Sequence, residues 1–380
     1  MKIDRIEVAI VSIPKIEQTQ GRSGHLALSS PGHPLNFVVT QVHTDEDITG
    51  ISEIPTLPPQ TRETSDEVFV FIKNWLAPRL LGEDPFNLEK IWAIMNRISP
   101  VGVCPKGAID TALYDIRGKA LKTPVYNLLG GLCKERIPLV ECTTVRSLDK
   151  PETMAKEAKQ FVDDGYKGLR VKPGRGMEIE LLAAIRDHVG WDVKLSVDAE
   201  QRWNVPKSIQ KIKAMEKYDL EFLEQPTVWY DLKGMAAVAK AVDVPIMAHQ
   251  SLYTLQDVDN LIKLEATDII GVKAYRPGGG LTGTMKTMAM AEIMNIPCYI
   301  HCCAEAGIST AASVHLMAAQ YDHLEYGCEI SWFHGYASNL VKNPVKIERG
   351  FAEVPKTPGL GVELDEEAVK KYSKETAVIK

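Results

Sequence analysis

The chain has 380 residues, with 44 Lys and Arg against 50 Asp and Glu and a formal net charge of −6. That length exceeds the roughly 250–300 residues at which one hydrophobic core usually stops growing, so two domains, or one large barrel with an attachment, are expected. The charges are interspersed with no basic stripe, which argues against nucleic acid as a partner. No apolar run reaches the about 18 residues of a membrane span, and "MKIDRIEVAIVSIP" alternates like a strand instead of a secretion signal, so a cytoplasmic protein with no membrane partner is expected. The seven cysteines are scattered without a CxxC pair, which points to reduced thiols. In "HCCAE", 301–305, adjacent residues of a strand face opposite ways, so Cys302 and Cys303 do not form one metal site.

In chain order, "KIDRIEVAIVSIP" and "NFVVTQVHTD" alternate as long strands, and "EDITGISE" turns the chain back into a third. Between the first two lies "GRSGHLALSSPGH", 21–33, whose Gly/Ser-rich composition suits a lid over a site. Two helical runs follow, "TSDEVFVFIKNWLAPRLL", opened by a capping signal, and "GAIDTALYDIRGKALKTPVYNLLG". Residues 1–125 therefore read as an α+β capping domain.

From there short apolar runs, each closed by a polar residue, alternate with amphipathic helical stretches. The closing residues are Thr144, Lys172, Asp198, Glu224, His249, Lys273, His301 and Glu329, spaced 24 to 28 apart. Eight near-constant units are what a parallel barrel requires, because each strand needs a crossover before its parallel neighbour. The eighth is weaker, since "AGISTAASVHLMAAQYDH" is apolar throughout and nothing helical follows Glu329. The fold class is therefore α/β, a (β/α)7β TIM-like barrel over 126–345. Residues 346–380, with Pro/Gly turns and a short strand pattern, are expected to return to the capping domain.

Such barrels build their sites at the C-terminal strand ends, so the closing residues share one mouth. Asp198, Glu224 and His249 end successive strands, with Lys172 before them and Lys273 after. Singly, each has a plainer reading as a helix cap, a surface charge or a core histidine. Together they offer oxygen ligands for a hard divalent ion and two lysines to move a proton beside it.

"RVKPG", "VDAEQRW", "LEQP" and "GVKAYRPGGG" resemble motifs of the enolase superfamily, in its mandelate racemase and muconate lactonizing enzyme branch. The "AIDTALYDIRGKALKTPVYNLLGG" helix and "PKTPGLGVELDEE" extend the likeness over nearly the whole chain. The resemblance implies Asp198 and Glu224 as metal ligands, with Lys172 and Lys273 as acid and base on opposite faces of an enolate. Two positions depart from it. Arg170 stands where Lys-x-Lys is usual, a positive neighbour expected to depress the pKa of Lys172. His249 takes the third ligand position, followed by Gln250 in place of a carboxylate. It either binds the ion, favouring Mn2+ or another softer cation over Mg2+, or stands behind the ligands or against substrate.

Arg170, Gln250, His301 and Glu305 are expected to touch substrate or brace the ligands; Trp332 and His334 could wall the site. The expected reaction is metal-dependent abstraction of the proton α to a carboxylate, by a racemase, epimerase or cycloisomerase acting on a small carboxylate. Dehydration of a hydroxy or sugar acid is the alternative, and a non-catalytic carboxylate-binding protein the reading from another class. A homo-oligomer is expected, as barrels of this kind commonly associate.

Overall fold

The structure, a computed structural model, describes residues 1–14, 34–143, 150–172, 176–320, 327–331 and 335–380. The segment 21–33, Thr144, Trp332 and His334 lie outside them. Three strands, β1 (Ile3–Ile13), β2 (Leu35–Thr44) and β3 (Thr49–Thr56), form the antiparallel meander. The run from Ser65 to Leu80 is helical, with α1 (Ser65–Phe71) opened by a Thr64/Glu67 capping box and continued by a wider-wound turn over Ile72–Leu76. Helix α2 (Leu88–Ile98), not anticipated from the sequence, buries Ile91, Trp92 and Met95 on one face. Helix α3 (Val103–Ala120) stops short of Pro124, and a single 3-10 turn, Val125–Leu128, follows.

Eight parallel strands then close on themselves: β4 (Arg136–Thr143), β5 (Gly168–Val171), β6 (Lys194–Asp198), β7 (Leu220–Glu224), β8 (Ile246–Ala248), β9 (Ile269–Val272), β10 (Cys298–Cys303) and β11 (Cys328–Ser331). Each pairs with the next, and β11 returns to β4 through Cys328–Leu139 and Glu329–Val140. Seven helices link them: α4 (Pro151–Asp163), α5 (Glu178–Val189), α6 (Val205–Met215), α7 (Leu232–Ala239), α8 (Leu255–Lys263), α9 (Gly280–Ile293) and α10 (Gly307–Ala318). This is the (β/α)7β barrel. Helix α10 is buried at every position, which is why its sequence is apolar all round.

The last 35 residues split. Strands β12 (Ile347–Glu348) and β13 (Phe351–Glu353) extend the barrel sheet instead of joining the cap, because β4 starts earlier than its parallel neighbours and leaves Arg136–Pro138 an open edge that β13 pairs. Helix α11 (Glu366–Tyr372) and β14 (Ser373–Ile379) lie with the meander, where β14 pairs with β1.

Helix α3 joins the two bodies and is buried on all sides. Its Asp110 accepts from Trp92 Nε1 at 2.7 Å, Thr282 N at 2.9 Å and Thr282 Oγ1 at 2.6 Å, which docks α3 on the start of α9. The approach is close enough that a Cβ on Gly107 would lie 2.7 Å from the Gly280 nitrogen, so only glycine fits. Asp115 accepts from Ile51 N and Leu360 N, tying β3 and the C-terminal segment to the same helix. Replacing Asp110 with Ala strands the Trp92 and Thr282 donors in the interior. It is expected to lower stability by about 2–4 kcal/mol in denaturant unfolding; a loss below about 0.5 kcal/mol would mean that packing alone docks the helix.

Candidate active site

The barrel interior is layered by the period-two alternation of its strands. Val140, Phe222, Met247, Ile269 and Tyr299 fill the floor as a separate apolar cluster. Two residues further along the chain stand Glu224, His249 just past β8, and His301, joined by Asp198 from β6, Arg170 from β5 and Lys172 just beyond it. The nine residues expected at the site are all buried, none more than 4% exposed.

Arg170 is the centre of this layer. Its Nη1 donates to Asp198 Oδ2 at 2.6 Å and to Glu224 Oε2 at 2.7 Å. Its Nη2 donates to Glu329 Oε1 at 3.0 Å, and its Nε lies 2.8 Å from Glu329 Oε2 as an ion-pair contact. Burial opposes the charge of Arg170, but these carboxylates hold it firmly protonated. Burial likewise pushes Glu329 and Asp198 up. Arg170 and His301 outweigh it at Glu329, and Lys172 and Arg170 at Asp198, so both carboxyls lie below their ordinary range. Glu224 differs: burial, with Asp198 and Glu329 adding to it, pushes it up to about 8 against the pull of Arg170. Both its oxygens nevertheless accept hydrogen bonds, from Arg170 and His249, a pattern that suits the ionised form.

Lys172 lies just beyond β5 and Lys273 just beyond β9, four strands apart in a ring of eight and so on opposite sides of the mouth. Lys172 Nζ pairs with Glu200 and stands 3.2 Å from Asp198 Oδ2. Burial lowers its pKa, but Glu200 and then Asp198 overcome burial and the repulsion of Arg170, so the value is well above an ordinary lysine. The expected depression by Arg170 is thus present but outweighed by two carboxylates. Lys273 Nζ donates to Glu305 Oε1 at 2.8 Å, and burial pushes the Glu305 carboxyl up.

His249 Nδ1 is 2.6 Å from Glu224 Oε1, and its Nε2 is 2.8 Å from Nη2 of Arg276. A guanidinium only donates, so Nε2 accepts and the ring proton is on Nδ1, donated to Glu224. Burial, then the neighbouring His301 ring and the charges of Arg276 and Lys273, keep the ring neutral. His301 Nδ1 lies 3.1 Å from Glu329 Oε2, and burial takes its pKa to about 3. The two imidazoles stack at 3.9 Å, because the strand between them has Gly271 at the inward position, where a Cβ would meet His301 Nε2 at 3.1 Å. Gln250 presents its backbone carbonyl to Arg62 at 2.7 Å.

Four partners were not expected from the sequence: Glu329, read only as a strand end, and Glu200, Arg276 and Gln225. Gln225 Oε1 accepts from His249 N and Ser251 N and so shapes the turn after β8. The polar residues after "VDA" and "VKAY" were the available signal for Glu200 and Arg276.

Family models match over most of the chain: the mandelate racemase / muconate lactonizing enzyme N-terminal domain over residues 15–130, and the enolase C-terminal domain-like family over 153–368. The chain belongs to the enolase superfamily. Within its mandelate racemase and muconate lactonizing enzyme branch, this member is 34% identical over 287 residues to a hydrophobic dipeptide epimerase of Enterococcus faecalis, covering 74% of this chain and 79% of that protein. It is 28% identical over 339 residues to an N-succinyl-L-Arg/Lys racemase of Bacillus cereus, covering 88% and 90%. A crystal structure of the Enterococcus faecalis dipeptide epimerase with Mg and the dipeptide L-Leu-L-Tyr superposes with a TM-score of 0.87 at 30% identity, over 96% of this chain and 100% of that one. The relatives include racemases, epimerases and cycloisomerases, and also an arabinonate dehydratase, and this member of the superfamily is an enzyme. Among the described residues no helix is long and apolar enough to cross a membrane.

The donor set of this superfamily member does not fit a divalent ion as arranged. Asp198 Oδ2 and Glu224 Oε2 already share one guanidinium nitrogen, and both ring nitrogens of His249 are engaged. The donor atoms of Glu224, His249 and His301 do lie within 4.8 Å of one another. Stacked rings, however, send their in-plane lone pairs along parallel planes, which do not converge on one ion.

Removing the hub exposes its weight. Arg170→Met leaves Asp198, Glu224 and Glu329 buried without their guanidinium and is expected to cost about 3–5 kcal/mol. Glu329→Gln, which leaves Arg170 two carboxylates, should cost less. Thermal unfolding of both variants is the check, and equal or negligible losses would show that the guanidinium is not the organising charge.

Proposed function

We propose that this enzyme removes and returns the proton on the carbon α to the carboxylate of a small organic acid, as a racemase or epimerase. Cycloisomerisation is the neighbouring outcome of the same proton chemistry. The observation that carries the reading is the pair of buried lysines, Lys172 and Lys273, on opposite sides of one barrel mouth, each held by its own carboxylate. The names of the relatives, a racemase of N-succinyl amino acids and epimerases of dipeptides, favour an acylated amino acid or a dipeptide as substrate.

The proton moves as follows. Abstraction needs the neutral amine of Lys273, and Glu305, whose Oε1 accepts from Lys273 Nζ at 2.8 Å, is placed to take up the ammonium proton. That amine removes the α-proton, and the C–H electron pair passes into the substrate carboxylate as an enediolate. Lys172, held charged by Glu200 and Asp198, delivers a proton to the opposite face, and the configuration at carbon is inverted. For the other enantiomer the two lysines exchange roles. Burial of every participant keeps bulk water from quenching the intermediate. Mg2+ or Mn2+ at Asp198, Glu224 and His249 would supply Lewis-acid stabilisation only with Arg170 withdrawn, and no step above depends on it.

Proton NMR in D2O on N-acyl amino acids and dipeptides is the test. The expected result is α-deuteration of both enantiomers without loss of water. Lys172→Ala and Lys273→Ala should each slow racemisation by roughly 10²- to 10⁴-fold or more. Each variant should still exchange the α-proton of the one enantiomer that faces its remaining lysine. Loss of water from a hydroxy acid would identify a dehydratase instead, and near-full racemisation in either variant would remove the two-base reading.

A further inference from the structure

We propose that Arg170 is the resident cation of this site: its guanidinium takes the place between Asp198 and Glu224 that the resemblance assigns to a divalent ion, and the site binds no Mg2+ while Arg170 is there. The inference deepens the reading above by naming what neutralises the carboxylates, and it stands or falls separately from it.

Three features carry the inference. The first is position. Nη1 lies 2.6 and 2.7 Å from Asp198 Oδ2 and Glu224 Oε2. A Mg2+ ion would need oxygens such as these at about 2.0–2.1 Å, so ion and guanidinium exclude one another.

The second is that the arm is built to stay. Glu329 accepts from Arg170 Nη2 through Oε1 at 3.0 Å, with Oε2 2.8 Å from Nε as an ion-pair contact, and His301 Nδ1 sits behind Glu329 at 3.1 Å. Glu329 does not belong to the expected ligand set, and its buried carboxylate has Arg170 and His301 as its charged and polar neighbours. A lysine at position 170 could not provide this arrangement, since bridging two carboxylates from one nitrogen while donating to a third from another needs the spread set of donors that arginine carries.

The third is the state of the remaining ligand position. His249 donates from Nδ1 to Glu224, and its Nε2 accepts from Arg276, which also donates to the carbonyls of His249 and Leu252. A second buried guanidinium therefore stands directly behind the third position and disfavours any further cation there. Arg170 among Asp198, Glu224 and Glu329, with Lys172 beside Asp198 and Arg276 behind His249, supplies protein cations where an ion would otherwise sit.

The experiment is a Mn2+ titration followed by electron paramagnetic resonance, with Mg2+ calorimetry beside it, on the metal-stripped wild-type protein, Arg170→Ala, Arg170→Lys and Asp198→Asn. Folding is checked by circular dichroism. In the wild type, no Mn2+ binding that depends on Asp198 is expected. Removing the unit positive charge of Arg170 from beside two carboxylates should then create a site binding Mn2+ at least about 100-fold tighter, with Arg170→Lys intermediate. Wild-type binding that Asp198→Asn abolishes would overturn the proposal, and this arm needs no Arg170 variant to fold. Equal affinities in the wild type and in a folded Arg170→Ala would overturn it too.

Chelation separates this inference from the proposed reaction. α-Proton exchange that survives EDTA supports both; exchange lost to EDTA and restored by Mg2+ leaves the two-lysine chemistry standing and removes the Arg170 inference. The titration result expected above, with no exchange on any carboxylate tried, leaves Arg170 as the resident cation and removes the proposed function.

Discussion

The guanidinium of Arg170, sunk in the barrel mouth among Asp198, Glu224 and Glu329, is the contact on which the rest of the site depends. Removing one partner from a buried ion pair costs about 3–5 kcal/mol, because the survivor cannot regain water. Here one cation serves carboxylates from three strands. Its effect continues outward: Glu224 accepts from His249, His249 accepts from Arg276, and His301 joins through Glu329, while Asp198 meets Lys172, which meets Glu200. The chain of contacts runs around the mouth from β5 to β11. The Lys273–Glu305 pair, on the far side, joins it through the backbone, where Lys273 and Arg276 exchange hydrogen bonds at 2.8 and 3.2 Å.

The capping domain braces that far side. Glu53, on β3, accepts from the backbone nitrogens of Ala306 and Ile308 and so caps α10 immediately after Glu305. Burial pushes the Glu53 carboxyl up to about 8, yet the N–H groups at the helix start favour its charged form. A second clasp comes from Arg62, which lies 3.9 Å over the Trp229 ring and donates to the carbonyl of Gln250. The cap thus holds the turn after His249 and the turn that carries Glu305. Helix α3, with Asp110 on α9 and Asp115 on β3 and Leu360, fixes the spacing between the two bodies.

Much of this architecture was legible because a barrel is periodic. Closing residues 24 to 28 apart located every barrel strand, and the same alternation put Lys172, Asp198, Glu224, His249 and Lys273 at one mouth. Less legible were features set by reach across the barrel. The contact between Arg170 and Glu329 joins residues 159 apart, and no spacing rule encodes it. For Lys172, the sequence shows a positive neighbour at position 170 but not that Glu200 folds back onto the amine, so the balance of charge at that lysine went the other way. Helix α2 was missed because its apolar face is narrow, with three buried residues in eleven. The pairing of β13 with β4 depends on where the barrel strands start, which the sequence does not show.

The most direct measurement is a crystal structure of the wild-type protein grown with Mn2+ and a small N-acyl amino acid, with anomalous diffraction recorded at the manganese edge. Planar guanidinium density bridging Asp198 and Glu224, with no anomalous peak between them and the substrate α-carbon between Lys172 and Lys273, is the expected result. A manganese peak held by Asp198 and Glu224, with Arg170 turned away from both, would contradict the central role given to that side chain.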